Sequence, residues 1–141
     1  MPPTGCAVRD AGFTILALTA DNYQPPDEDF CGLDVYRILL DDRQTTVPSL
    51  VDYLSAEELS KVLAHQIRRG SSVLITCVEG RNRSTLLTGL TMRRLTGQSG
   101  PEVYDWIRDR RPSVPGRPER RTFTNRHFKA YLLAKRPMLV R

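Results

Sequence analysis

Long hydrophobic runs are missing from this 141-residue sequence, and none approaches the roughly 20 apolar residues that a membrane-spanning helix needs. The first ten residues, MPPTGCAVRD, contain neither a basic segment nor an apolar one, so no secretory leader is predicted there. The 3 cysteines lack paired spacing, and neither of the 2 histidines has other ligands at zinc spacing. We therefore expect a single cytoplasmic domain over residues 1–141, with reduced cysteines, no transmembrane segment, no metal and no cofactor.

Basic residues are scarce in the first half of the chain and acidic residues are scarce in the second half, although the net charge is only +5. Residues 1–70 contain 6 basic against 11 acidic residues, whereas residues 71–141 contain 15 basic against 5 acidic residues. A basic field around a site in the second half would raise the local concentration of anionic substrates. Most of these charges, taken singly, are equally well explained as solvated surface.

The most informative stretch is 73–90, VLITCVEGRNRSTLLTGL, where an apolar run is followed by a polar loop and an uncharged segment. These patterns predict a central strand covered on both faces, a loop and a helix. Backbone N–H groups of such a loop can point inward and bind an oxyanion, and the positive end of the helix dipole reinforces them. Gly80 lets the backbone come close to that ion. The predicted phosphate-binding residues are Val78, Glu79, Gly80, Arg81, Asn82 and Arg83.

Reactive side chains flank this loop. Cys77 ends the strand, and the surrounding positive field would favour its thiolate, which is the nucleophilic form. Five residues separate Cys77 from Arg83, whose guanidinium can bind two oxygens of a phosphate group at once. Ser84 would place a hydroxyl near the sulfur. Cys31 and Arg37 repeat the spacing without the central Gly or the following hydroxyl residue, and we interpret that match as coincidence.

The segment VLITCVEGRNRS resembles the signature loop of the cysteine-dependent protein tyrosine phosphatase superfamily, and its flanks resemble the small dual-specificity phosphatases most. The family pattern is His-Cys-x-x-Gly-x-x-Arg-Ser/Thr. Cys77, Gly80, Arg83 and Ser84 match it, and Thr76 stands where the family has its His, which helps to order the loop and favour the thiolate. The resemblance implies hydrolysis of phosphate monoesters through a cysteinyl-phosphate on Cys77, with Ser84 assisting release of the thiolate.

The resemblance also implies a general acid, an Asp in a loop that follows a strand some thirty-odd residues before the nucleophile. The apolar segment 35–40 predicts such a strand, and Asp41 and Asp42 follow it, 36 and 35 positions before Cys77. Matching the end of this strand to the family pattern favours Asp42, and Asp41 remains the alternative. A turn-forming or helix-capping role is the competing interpretation for either residue.

The remaining patterns predict an α/β fold. Residues 13–19 form another buried-strand pattern, and Ser55 and Glu58 form a capping box that begins a helix. Trp106 is predicted to face the core from a further helix, and Asn125 is the predicted N-cap of the last one. Together with the resemblance, these patterns imply a protein tyrosine phosphatase-like fold, with a mainly parallel twisted sheet of four to five strands and helices on both faces.

Several substrate classes stay open at this point, as does the oligomeric state. A chain this short has little room for loops that would deepen a pocket for phosphotyrosine alone. That favours a shallow pocket and phosphotyrosine, phosphoserine or phosphothreonine in proteins. Arg81 adds a second cation at the mouth, so phosphoinositides, other anionic lipids or sugar phosphates come second. RNA 5′-triphosphate is a further option because the second half of the chain is basic.

Single residues favour or disfavour the alternative protein classes. Thr76, which stands in place of the family's His, leaves open the hypothesis of a phosphate-binding module without turnover. Low-molecular-weight phosphatases are disfavoured because they carry the loop at the N-terminus with the Asp downstream, and rhodanese-type sulfur transferases because of Ser84 and the upstream Asp pair. A separate redox hypothesis is that Cys6 or Cys31 forms a protective disulfide with an oxidised Cys77.

Overall fold

The structure, a computed structural model, describes residues 5–19, 30–40, 48–77, 83–110 and 125–139. The helices of these residues are α1 (Gly5–Asp10), α2 (Leu50–Arg68), α3 (Arg83–Thr96), α4 (Gly100–Arg110) and α5 (Arg126–Leu133). The strands are β1 (Ile15–Leu18), β2 (Asp34–Arg37) and β3 (Val73–Thr76). None of the described helices is both long and apolar enough to span a bilayer.

The three strands form one parallel sheet in the order β2–β1–β3. Leu16 of β1 lies between Val35 of β2 and Leu74 of β3. The predicted α/β class and parallel sheet are confirmed. The expectation of four to five strands is wrong for the described part of the chain, which has three. The prediction that 72–76 is the central strand does not hold in the described sheet either, where β1 is central and β3 stands last in the order.

The central strand β1 is covered on both faces, and all four of its residues are buried. Its side chains alternate, so that Ile15 and Ala17 pack on the side of α2 and α3, whereas Leu16 and Leu18 contact Phe30 on the other side. Burial of one such large aliphatic side chain stabilises the fold by about 1.5–3 kcal/mol. The two layers fix β1, and through its hydrogen bonds they fix the strand that carries the cysteine.

The helix α2 begins earlier than predicted. Its N-cap is Ser49, whose hydroxyl accepts a hydrogen bond from the Asp52 N–H at 3.2 Å, while the Asp52 carboxylate accepts one from the Ser49 N–H at 3.3 Å. This capping box satisfies two N–H groups at the helix start. Ser55 and Glu58 therefore lie inside α2, and the box predicted there is wrong. Gly70 ends the helix as expected, with a positive φ of 98°.

A second hydrophobic cluster joins α3, α4 and α5. Gly100 brings α4 close to α5, because a Cβ on it would lie 1.6 Å from the carbonyl oxygen of Leu132. The prediction that Trp106 faces this cluster is wrong: 37% of the residue is exposed, and the guanidinium of Arg110 lies 4.0 Å from its ring centroid. The inward face of α4 is filled by other residues. The buried members of the cluster include Leu86, Leu90, Val103, Ile107, Phe128 and Leu132.

Cys6 and Cys31 form a disulfide, with their Cα atoms 5.1 Å apart. The prediction of three reduced cysteines is therefore wrong. The hypothesis that either residue pairs with Cys77 is wrong too, because they bond each other and Cys77 is not disulfide-bonded. The physical cause is the close packing of α1 on the turn before β2, where a Cβ on Gly5 would lie 2.0 Å from the Cα of Phe30.

Candidate active site

Cys77 stands directly after β3, at the carboxyl end of the sheet. The backbone N–H and the hydroxyl of Thr19 both donate to the Thr76 carbonyl, at 3.1 and 3.0 Å, and this holds the end of β3 against β1. Cys77 is 6% exposed. The carboxyl ends of parallel strands form the edge at which α/β proteins bind ligands. The thiol is thus both buried and placed at the binding edge.

The helix α3 begins at Arg83, on the far side of the predicted loop. Arg83 and Ser84 are 7% and 3% exposed, so the first turn of α3 is covered by protein. That turn contains no acidic residue, so no carboxylate of its own neutralises the positive end of the helix dipole. The prediction of a strand before the loop and a helix after it is confirmed.

The structure brings the Cys77 sulfur and the Ser84 hydroxyl together. Sγ and Oγ lie 3.3 Å apart. A hydroxyl at this distance can accept a hydrogen bond from a neutral thiol or donate one to a thiolate. The Ser84 backbone is itself held in α3, where its carbonyl accepts a hydrogen bond from the Thr88 hydroxyl at 2.8 Å. The serine therefore offers the sulfur a partner in a fixed position.

The Thr76 side chain contributes to the site by a hydrogen bond to the backbone of Cys77. Its hydroxyl donates to the carbonyl oxygen of Cys77 at 3.2 Å. This bond orients the peptide that leads from β3 into the loop.

Some predicted site residues lie outside the described part of the chain. These are Asp41, Asp42 and the loop residues 78–82, whose roles stay predictions. Of the predicted site, the structure describes the cysteine, the arginine and the serine that flank the loop. Among the residues that it describes, no group of three or more His, Cys, Asp or Glu side chains is arranged to hold a metal ion.

The described chain leads from β2 towards the same edge as the cysteine. The Leu40 N–H donates to the Thr19 carbonyl at 3.4 Å, and the Thr19 N–H donates to the Thr76 carbonyl at 3.1 Å. Thr19 is thus bonded to the end of the β2 segment on one side and to the end of β3 on the other. The last described residue before Asp41 and Asp42 is therefore bonded to the strand that also holds the end of β3.

A polar cluster that the sequence patterns missed lies at the other end of α3. The Glu57 side chain of α2, 15% exposed, accepts hydrogen bonds from Arg94 at 2.7 Å and from Tyr131 and Lys135 at 2.8 Å. Burial alone would raise the pKa of this carboxyl, but the hydrogen bonds from Lys135, Tyr131 and Arg94 lower the pKa below its usual value. Arg94 lies about 16 Å along α3 from the helix start. The cluster therefore ties α3 and α5 to α2 and is remote from the thiol.

No protein-family model and no curated protein matches this sequence. Solved structures do match. Human DUSP28 is 20% identical over 91% of this chain and 80% of its own, with a TM-score of 0.66. Tk-PTP, solved in its active form, is 21% identical over 94% of this chain and 84% of its own, with a TM-score of 0.68. A human tyrosine phosphatase-like serine/threonine/tyrosine-interacting protein is 13% identical over 90% and 78%, with a TM-score of 0.64.

These likenesses confirm the fold that the signature segment implied. The chain has the fold of the protein tyrosine and dual-specificity phosphatases, with the cysteine at the end of a parallel strand and the arginine at the start of the next helix.

Proposed function

We propose that the protein is a phosphatase of the small dual-specificity type, which hydrolyses phosphate monoesters through a cysteinyl-phosphate on Cys77. One observation carries the proposal: the buried sulfur lies at the binding edge of the sheet, 3.3 Å from the hydroxyl of Ser84 in the first turn of α3. The fold shared with DUSP28 and Tk-PTP supports it. A cysteine that merely filled the core would need neither the hydroxyl partner nor a buried arginine at the start of the helix that carries this hydroxyl.

In the first step, the Cys77 thiolate attacks phosphorus, so that an S–P bond forms while the bond to the leaving oxygen breaks. Arg83 and the N–H groups of residues 78–82 hold the other phosphoryl oxygens and balance their charge. Asp42 donates a proton to the leaving oxygen, and an alcohol or phenol departs. The positive end of α3 stabilises the negative charge on the sulfur before attack and on the phosphoryl group during it.

In the second step, water attacks phosphorus while Asp42 accepts a proton from it, and the S–P bond breaks to release inorganic phosphate. The sulfur leaves as an anion. Ser84 then donates its hydroxyl hydrogen to the departing thiolate. Because this hydrogen bond strengthens as negative charge returns to the sulfur, it assists the second step in particular.

The assignment of the acid is supported by the path of the chain between β2 and the binding edge. Leu40 and Thr76 end segments that flank the same strand, and two strand spacings amount to about 10 Å. Asp42 follows Leu40 by two positions in the sequence, which is why we assign it the role of the acid. Asp41 is the alternative acid.

The substrates that we propose are phosphotyrosine, phosphoserine and phosphothreonine in proteins. The neighbours named as dual-specificity or protein tyrosine phosphatases support this class. Phosphoinositides, other non-protein phosphate esters and RNA 5′-triphosphates come after it. Release of inorganic phosphate from a phosphopeptide, a phosphoinositide vesicle and a triphosphorylated RNA, compared at equal concentration, ranks the three.

Hydrolysis of p-nitrophenyl phosphate without added metal tests the mechanism. We expect activity that vanadate inhibits, no activity in Cys77→Ser, and strongly reduced activity in Asp42→Asn. Asp41→Asn is the matched control, and a larger loss in that variant would transfer the acid role to Asp41. Wild-type activity in Cys77→Ser would refute the mechanism.

A phosphate-binding module without turnover is the second candidate. It is favoured by Thr76, whose hydroxyl donates to the backbone carbonyl of Cys77, and by the likeness to a human phosphatase-like protein described as an interacting protein. Under this candidate, the wild type binds one vanadate in calorimetry and hydrolyses no aryl phosphate. Appearance of activity in Thr76→His would then show that the threonine alone withholds turnover.

A further inference from the structure

A cavity of about 260 Å³ lies between α2, the end of α3 and the segment that follows α5. Three residues on one face of α2, spaced three and four positions apart, line it together with one residue of α3 and two residues after α5. The described lining residues are Lys61, Ala64, Arg68, Arg94, Met138 and Leu139. Because Arg94 lies about 16 Å along α3 from the helix start, the cavity is remote from the thiol.

The wall of the cavity that follows α5 is held to the helices by backbone hydrogen bonds. The Gly100 N–H donates to the Lys135 carbonyl at 2.8 Å. The Met138 N–H donates to the Gly97 carbonyl at 3.0 Å. The segment 135–138 is therefore fixed against the turn between α3 and α4, and the cavity is bounded by elements that are bonded to one another.

The two guanidinium groups of the cavity are held in place by only part of their donors. Arg94 donates through Nε to the Ser60 hydroxyl and through Nη2 to the Glu57 carboxylate, at 2.7 Å in each case. Arg68 donates through Nη2 to the backbone carbonyl of Arg94. A guanidinium has five N–H donors, and within the described part of the chain Nη1 of each arginine has no hydrogen-bond partner. Two fixed guanidinium groups thus have donors left for an oxyanion.

Positive charge in the cavity is only partly neutralised. Three of its described lining residues are cationic, and none of those described is acidic. The carboxylate of Glu57, which bonds Arg94, also bonds Lys135 at 2.8 Å, so one negative charge serves two cations. Arg68 is bonded to a carbonyl, which carries no net charge. An anion in the cavity would therefore be attracted by both arginines.

The third cation of the cavity is held by a weak ion pair. The Lys61 ammonium lies 2.8 Å from the Glu58 carboxylate, and the two side chains are 55% and 69% exposed. Exposed pairs of this kind contribute little because water and salt screen them. Lys61 can therefore exchange Glu58 for an anion that enters the cavity.

We propose that this cavity is an anion site separate from the loop after Cys77, and that it binds a phosphoryl group between Lys61, Arg68 and Arg94. Two guanidinium groups and an ammonium suit a doubly charged group with three terminal oxygens better than a singly charged carboxylate. The group is inorganic phosphate or a phosphate monoester, whose organic part would pack against Leu139, which is 90% exposed. The proposal does not depend on the proposed phosphatase activity.

Titration of isotope-labelled protein with inorganic phosphate and with phenylphosphonate, a stable analogue of an aryl phosphate, tests the proposal by NMR. The amides of Ala64 and Leu139 report on the cavity, whereas those of Ser84 and Thr85 report on the candidate active site. We expect saturable shifts of the cavity amides with either ligand, and none with sodium chloride at the same ionic strength. Tighter binding of phenylphosphonate would assign the cavity to esters and equal binding to free phosphate, and both outcomes support the proposal.

Charge-removing variants distinguish the cavity from the general attraction of a basic surface. Arg68→Gln and Lys61→Gln should each weaken binding at the cavity by about fivefold or more, because each removes a charge-assisted hydrogen bond to the anion. Arg69→Gln is the matched control, since Arg69 is the exposed C-cap of α2 and does not line the cavity. It should bind within about twofold of the wild type, because a charge outside the cavity is screened. Aryl phosphate hydrolysis by Arg68→Gln should equal that of the wild type.

Three results would overturn the proposal. The first is that the amides of Ala64 and Leu139 do not shift with either ligand, even where the Ser84 amide does. The second is that sodium chloride produces the same shifts, which would mean that only surface charge is screened. The third is that Arg69→Gln weakens binding as much as Arg68→Gln, which would mean diffuse attraction by the end of α2. Loss of hydrolysis with intact binding at the cavity would instead count against the proposed function alone.

Discussion

Replacement of Ser84 by Ala removes the hydroxyl that lies 3.3 Å from the Cys77 sulfur. In the proposed mechanism, the lost interaction joins a hydroxyl to a sulfur that becomes negatively charged when the S–P bond breaks. Hydrogen bonds to charged groups contribute about 1.5–3 kcal/mol net. Because about 1.36 kcal/mol corresponds to a factor of ten in rate, breakdown of the cysteinyl-phosphate should slow by roughly 10- to 150-fold.

Formation of the intermediate should be affected far less, because negative charge leaves the sulfur during attack, so a hydrogen bond to the sulfur does not strengthen on the way to the transition state. Ser84→Ala should therefore release p-nitrophenol in a rapid burst, followed by slow turnover. Stopped-flow absorbance measures both phases, and the intact mass of the quenched protein detects phosphate on Cys77. Ser84→Thr, which keeps a hydroxyl on the same carbon, is the matched control and should turn over without accumulated intermediate.

Two results would refute this reasoning. An unchanged kcat in Ser84→Ala would mean that the hydroxyl has no part in the rate-limiting step. Equal loss in the burst and in the slow phase, with an unaltered thermal unfolding midpoint, would mean that Ser84 acts on attack as well as on release.

Three further predictions concern stability. The pKa of the Glu57 carboxyl is lower in the folded chain than its unfolded value near 4.5, so its contribution is complete above that value and is lost as the pH falls through the folded one. The free energy of unfolding measured in urea should therefore fall more steeply with decreasing pH in the wild type than in Glu57→Gln. Parallel curves for the two proteins would contradict this. Joint replacement of Cys6 and Cys31 by Ala should lower the free energy of unfolding by up to about 3 kcal/mol, since the disulfide spans 25 residues, and should leave aryl phosphate hydrolysis unchanged. Dithiothreitol should destabilise the wild type and not this variant. Gly100→Ala places a Cβ 1.6 Å from the Leu132 carbonyl oxygen and should cost about 1–3 kcal/mol or more in thermal unfolding, so an unchanged midpoint would contradict the packing of α4 on α5.

The strand, the helix and the cysteine between them could be predicted because their signals are local. The apolar run before Cys77 and the uncharged segment after Arg83 are contiguous in sequence, and the spacing between the two residues constrains the loop directly. The N-cap of α5 is a local signal of the same kind. Asn125 accepts hydrogen bonds from the N–H groups of His127 and Phe128 at 3.0 and 3.3 Å, as a cap should.

Contacts between residues far apart in sequence could not be predicted in this way. Cys6 and Cys31 meet because α1 packs on the turn before β2, which no spacing pattern encodes. Glu57 meets Arg94 and Lys135 because α2, α3 and α5 converge, although each residue looks like ordinary surface charge in its own segment. Contacts of this kind can be recognised only when the relative positions of the helices are known.

The position of β3 in the sheet is a further feature that the sequence could not predict. The sequence VLIT is typical of a strand covered on both faces and paired on both edges, and the chain nevertheless places it at an edge of the described sheet. An apolar strand pattern therefore predicts that a strand packs against other elements, and it does not predict the place of that strand in the order β2–β1–β3, which is decided by pairing between residues far apart in sequence.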